Sequence, residues 1–251
     1  MRKYIIFTFM LLFSIPAILS QSKPFISMEK ADNLVECNVH TLLGTSLFVQ
    51  DYAKHIPSLA FIEASPGCGV GLGASAQLVF RDFIALGTSL DVLALNNVYS
   101  MTLIDIDGNG TQNSVFVSNR AYCANIPIFA SLRFNISDNV RWNVDAGCYF
   151  SLGFGGYQKA DTYTTMLNDL GQMVTKYEKY EWDYYNEEHP LINGFDDFDF
   201  GLMIGSGLRL YDHYNIGLEA RFGTKNASTN VGIIRPNVRN HFLAMKIGYQ
   251  F

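Results

Sequence analysis

Apolar and polar residues alternate along this chain with a period of two, over stretches of ten residues and more. Within 141–154 the apolar set is Trp142, Val144, Ala146, Cys148, Phe150, Leu152 and Phe154. Between them stand Arg141, Asn143, Asp145, Gly147, Tyr149, Ser151 and Gly153. Within 198–210, Phe198, Phe200, Leu202, Ile204, Leu208 and Leu210 alternate with Asp199, Gly201, Met203, Gly205, Gly207 and Arg209. That period describes strands with two chemically different faces. Eight strands follow, at about 40–49, 68–80, 83–95, 121–135, 140–154, 198–211, 214–224 and 241–251. They are long enough for the ~9–11 tilted residues that cross a bilayer, and roughly twice as long as an ordinary strand.

The connections alternate too. Those at 81–82, 135–139 and 212–213 are tight, whereas 50–67, 97–118, 155–197 and 225–240 are long. This is the plan of an all-β fold: an eight-stranded antiparallel up-and-down transmembrane β-barrel over 40–251. Both chain ends then lie on the short-turn, periplasmic side, with 21–39 as a periplasmic N-terminal segment and 155–197 as a long extracellular loop.

A soluble barrel would alternate in the same way but wrap its apolar face around a ligand. Two features favour the membrane. Aromatics of the apolar face gather at the strand ends: Phe80, Phe134, Trp142, Tyr214 and Phe251 at one level, and Tyr122, Phe154, Phe198 and Phe222 at the other. Interfacial girdles have this pattern. The polar face combines many glycines with charges of both signs, which suits the narrow, filled lumen of an eight-stranded barrel. Its expected charge network is Asp91, Asp145, Asp199 and Glu219 against Arg133, Arg141, Arg209, Arg221 and Lys246. Near-neutrality limits the desolvation cost of burying such groups.

Composition adds a compartment. Arg2 and Lys3 precede an apolar run from Ile5 to Ile15 and a candidate cleavage region at 16–20, so 1–20 reads as a secretory signal peptide. Beyond it no run of ~18 apolar residues would span a bilayer as a helix. Without Arg2 and Lys3, 16 basic residues face 23 acidic ones, a balance that argues against nucleic acid. The expected location is the outer membrane of a Gram-negative cell.

Several segments resemble a known family. They are 69–80, 84–93, Asn125-Ile-Pro-Ile-Phe-Ala-Ser-Leu-Arg133-Phe134, 198–207 and the final Gly248-Tyr-Gln-Phe251. Together they are similar to the PorT-type outer-membrane β-barrel family, across most of 40–251. The resemblance implies a small barrel of the outer-membrane-protein-A or -X sort, often without an assigned activity. Leu243, Met245, Ile247, Tyr249 and Phe251 also resemble the C-terminal signal read by the barrel-assembly machinery. The bilayer and that machinery are the partners implied, and no cofactor is.

Candidate chemistry is sparse. Gly69-Val-Gly71-Leu-Gly73-Ala74, with Asp91 downstream, superficially matches a dinucleotide fingerprint, but no helix opens at these glycines. Asp105, Asp107 and Asn109 begin a calcium-loop pattern whose twelfth position is Phe116, so a hairpin tip is the simpler reading. The loop 155–197 carries Tyr177, Tyr180, Trp182, Tyr184 and Tyr185, and residues 158–196 hold eight acids against three lysines. Aromatics give large contact area at low entropic cost, so these five are the candidate surface for an extracellular partner of unknown identity. The four cysteines do not form an obvious disulfide framework, although their even number in an oxidising compartment pulls the other way. His241 sits at the outer rim without a recognisable nucleophile beside it. The reading is a non-enzymatic barrel with a plugged lumen; a narrow pore is the second possibility and a lipid-modifying enzyme the third.

Overall fold

The computed structural model describes residues 23–31, 33–51, 59–104, 111–185, 194–228 and 237–251. The expected leader 1–20 and the Asp105, Asp107 and Asn109 turn lie outside these residues. Ten strands are present: β1 (Val35–Gln50), β2 (Leu59–Ser65), β3 (Gly67–Arg81), β4 (Ile84–Ile104), β5 (Gln112–Ser137), β6 (Val140–Leu167), β7 (Met173–Asp183), β8 (Phe198–Leu210), β9 (Tyr214–Gly223) and β10 (Val238–Gln250). Eight of them close a ring in the order β1-β3-β4-β5-β6-β8-β9-β10 and back to β1, every pair antiparallel. Closure leaves no strand edge in the ring, which a backbone in hydrocarbon requires because no water is there to satisfy its polar groups. The eight expected strands are those of the ring; β2 and β7 are additional.

The outer surface is apolar and the inner surface polar. Leu72, Leu90, Leu202, Ile204 and Leu218 are exposed, while Asp91, Arg133, Arg209, Glu219 and Arg221 are buried. A protein in water has the opposite arrangement, so the solvent around this wall is lipid. On β5 the outer face runs from Phe134 to Tyr122, twelve residue steps, or about 28 Å along the axis at ~45° tilt. That matches a hydrocarbon core. Ile204→Arg, six residues from each end of β8 and 52% exposed, is expected to lower barrel stability by about 2–4 kcal/mol. The urea midpoint of the folded barrel in lipid vesicles measures the loss, and a loss under 1 kcal/mol would count against this wall facing lipid.

Above the Tyr122 level the pattern changes sign. β4, β5 and β6 continue well beyond the expected strand ends, with β2 paired to β4 and β7 paired to β6, so five strands form a head on the long-loop end. The expected loops 97–118 and 155–197 are largely this sheet. Here the apolar residues face inward: Tyr99, Met101, Val115, Val117 and Ala160 are buried with Phe48, Tyr184, Phe195 and Val238. The β5–β6 register shifts at Tyr122/Cys123, where Tyr122 pairs with Gly155 and Cys123 with Gly153, so that Phe154 is the extra residue on β6. Gly156 has φ +144°, a conformation that side chains rarely adopt, and a Cβ there would collide with the backbone of Arg120. This bulge moves the inward set on β6 from odd to even positions, so that Gln158, Ala160 and Thr162 are buried.

At the short-turn end β1 begins at Val35, five residues before the expected start, so 35–39 belongs to the wall and not to a periplasmic segment. Residues 23–31 and 33–34 run along the rim. Phe25 stacks on Phe134 at 5.2 Å, and backbone bonds tie Phe25 to Asn135, Glu29 to Asp82 and Leu34 to Val79. The four cysteines are free thiols, with Cys37, Cys68 and Cys148 exposed and Cys123 buried.

Candidate functional site

The lumen is built from the inward positions of all eight ring strands, and its charges form two clusters. In the first, Arg221 on β9 donates through Nη2 to Asp91 on β4 and to Glu219 on its own strand, the latter at 2.5 Å. Its Nε donates to Glu219 at 2.8 Å. Lys246 on β10 adds a bond to the second Glu219 oxygen at 3.1 Å. On the other side His40 Nε2 lies 2.9 Å from Asp91, with Asn38 at 3.2 Å from Nδ1. A continuous chain of partners therefore crosses the barrel from β1 through β4 and β9 to β10.

The second cluster lies nearer the short turns. Glu36 receives Arg133 at 2.8 Å and Arg209 at 3.0 Å, and Arg133 also donates to Gln77. Of the other expected network residues, Asp145 faces the lumen opposite Ser131 without an ion pair among the described residues. Arg141 donates to Asn135 at 3.2 Å. Asp199 accepts from the Phe200 amide at 2.8 Å and from the Tyr149 hydroxyl at 3.5 Å. The nine expected charges thus separate into one bonded chain, one short-turn cluster and three outlying members. Glu36, His40 and Asn38 were missed. Extending the alternation of β1 back from His40 would have found all three, since even positions of that strand face inward.

The loop end is closed by aromatic packing. Phe48 stacks on Tyr99 at 5.2 Å and meets Phe195 edge-on at 5.6 Å; Tyr184 stacks on Phe195 at 4.6 Å. Tyr184, expected at a partner-binding surface, is 2% exposed and belongs to this plug. The Tyr185 ring packs on Gly153, where only a glycine leaves room for it, and Trp182 donates to buried Gln158 at 2.6 Å. A short link places 184–185 beneath the end of β7, where apolar surface is available and water is not. Of the five expected contact residues only Tyr177 is exposed, and Tyr180 is half-buried. Tyr177 donates to Asp161 at 2.6 Å and Tyr180 to Glu178 at 2.7 Å. Each bond holds its phenol above the ordinary tyrosine range because the proton is shared with a carboxylate. Lys176 in turn holds Glu178 below the ordinary carboxylate range.

At the C-terminus Leu243, Met245, Ile247, Tyr249 and Phe251 all point outward from β10. Tyr249 meets Phe251, Tyr214 and His213 within 5.4, 5.6 and 5.5 Å, and the Phe251 amide donates to Cys37. His241 faces outward against Phe222 at 5.7 Å.

Residues 68–224 match the family model described as the outer membrane protein beta-barrel domain. The chain belongs to this family. It is an outer-membrane β-barrel, and the matched span runs from the start of β3 to the end of β9. No curated protein matches it. Among solved structures it is similar to the Yersinia pestis attachment invasion locus protein Ail, determined with the heparin analogue sucrose octasulfate. That likeness has 12% identity over 87% of this chain and 100% of that one, with a TM-score of 0.35. OprG from Pseudomonas aeruginosa is similar at 11% identity over 86% and 94% of the two chains, with a TM-score of 0.37. The N-terminal barrel of Pseudomonas aeruginosa OprF gives 11% identity, 86% and 97% coverage, and 0.33.

Proposed function

We propose that this chain is a non-conducting, non-enzymatic outer-membrane barrel that holds its five-stranded head at the cell surface, long-loop end outward. The observation that carries this reading is the double closure of the lumen. A buried chain of ion pairs crosses it between the two aromatic girdles, and the Phe48, Tyr99, Tyr184 and Phe195 plug closes it above. A hydrated ion would have to break at least one charge-assisted bond in a low-dielectric interior to pass. In this reading residues 1–20 direct export, the outward C-terminal series is read by the barrel-assembly machinery, and the protein is a PorT-type member of its family. The exposed part of the head, including Tyr177, is where an external partner would be met.

The test is conductance of the purified barrel in planar bilayers. No steady single-channel current is expected from the wild type. A stepwise current from it would favour the narrow-pore alternative and overturn this reading. Orientation is checked on intact cells, where added protease is expected to cut the exposed β6–β7 turn at 168–172 and spare the short turns.

A further inference from the structure

We propose that the outer wall at β1, β3, β4 and β5 holds one anionic lipid, its acyl chain in a groove and its phosphate on Arg120 and Lys159. The groove is an apolar depression of about 320 Å³ walled by Leu43, Leu72, Val92 and Tyr122, with Ala94 and the Gly71 backbone forming its floor. Ala94 is the small side chain at an outward position and leaves the depression between its larger neighbours, whereas Gly71 faces the lumen and adds only backbone to the floor. It lies on the lipid-facing surface, so hydrocarbon is what fills it.

Its upper end is marked by register. Ala94 pairs with Tyr122, and the next outward pair is Asn96 with Arg120. Arg120 donates through Nε to Asn96 at 2.8 Å, and its guanidinium lies 5.6 Å from the Tyr157 ring. No carboxylate pairs with it among the described residues. Lys159 approaches the same ring at 4.5 Å, so two cations converge on one aromatic side chain at the upper end of the lipid belt. The Lys159 pairing with Glu181 is 3.3 Å long and more than a third exposed on both sides. Exposed pairs of this kind contribute little and are readily exchanged. Two cations beside a neutral amide and a ring face make a site for a phosphate, which a guanidinium binds through paired donors. An apolar groove leading directly into that site matches the two ends of an anionic lipid, whichever compartment the loop end faces.

Native mass spectrometry of the full-length barrel in detergent, with dimyristoylphosphatidylglycerol or dimyristoylphosphatidylcholine at equal concentration, tests this. A phosphatidylglycerol adduct is expected on the wild type, weakened about five-fold by Arg120→Gln. That factor corresponds to the ~1 kcal/mol typical of one basic residue at an anionic surface. Lys159→Gln is expected to weaken it similarly, and Ala94→Trp, which fills the groove, to remove it. Arg81→Gln, at the opposite end, should retain it. Heat-modifiable migration on a gel confirms that each variant is folded; if Ala94→Trp is not, the two charge variants decide. Equal retention of both lipids by the wild type, or an undiminished adduct on Arg120→Gln, overturns the proposal.

Discussion

Arg221→Ala is expected to destabilise the folded barrel by about 3–5 kcal/mol, the cost of leaving buried charges without their partner. Asp91 and Glu219 are 0% and 2% exposed and both depend on this guanidinium. After truncation Asp91 keeps only His40, and Glu219 keeps only Lys246. Lys246→Met should cost much less, because its side chain is 19% exposed and makes one bond to a carboxylate that Arg221 already holds. The urea midpoint of each variant in lipid vesicles, followed by heat-modifiable migration, provides the comparison. Equal losses for the two variants would show that Arg221 is not the centre of the chain.

Glu36→Ala is expected to have an effect of similar size, also about 3–5 kcal/mol. It removes the one carboxylate shared by Arg133 and Arg209, whose side chains are 0% and 3% exposed. Arg133 would retain Gln77, and Arg209 would retain Asn215 at 3.4 Å, neither of them charged. Were 35–39 a solvated periplasmic segment, the substitution would change stability by less than 0.5 kcal/mol, as surface changes usually do. The same unfolding measurement therefore decides where Glu36 resides.

Much of the wall was legible in the residues. The alternation of β8 assigns Leu202 to lipid and Arg209 to the lumen, because successive side chains of a strand must point to opposite faces. The spacing of Tyr122 and Phe134 on β5 marks the two membrane boundaries in the same way. The head was harder to read. Tyr99, Met101, Val115 and Val117 keep the period of two, but above the bilayer the solvent outside is water, and the apolar set belongs inside. A reading that equates apolar with outward loses the strand at that level. The bulge at Phe154, between Gly153 and Gly155, then shifts β6 by one residue, which exchanges the two faces of everything beyond it.

What the chain determined by itself is its strands, their two faces and the membrane belt, since these follow from local backbone geometry and the solvent each face meets. Which charges pair was decided only by tertiary structure. Arg221 meets Asp91 across 130 positions, and Arg133 meets Glu36 across 97. Alternation places each of these side chains in the lumen but says nothing of its height or its opposite neighbour. Both depend on how far the strands are staggered when the ring closes. The same closure brought Tyr184 against Phe195 and turned a residue expected at the surface into part of the plug.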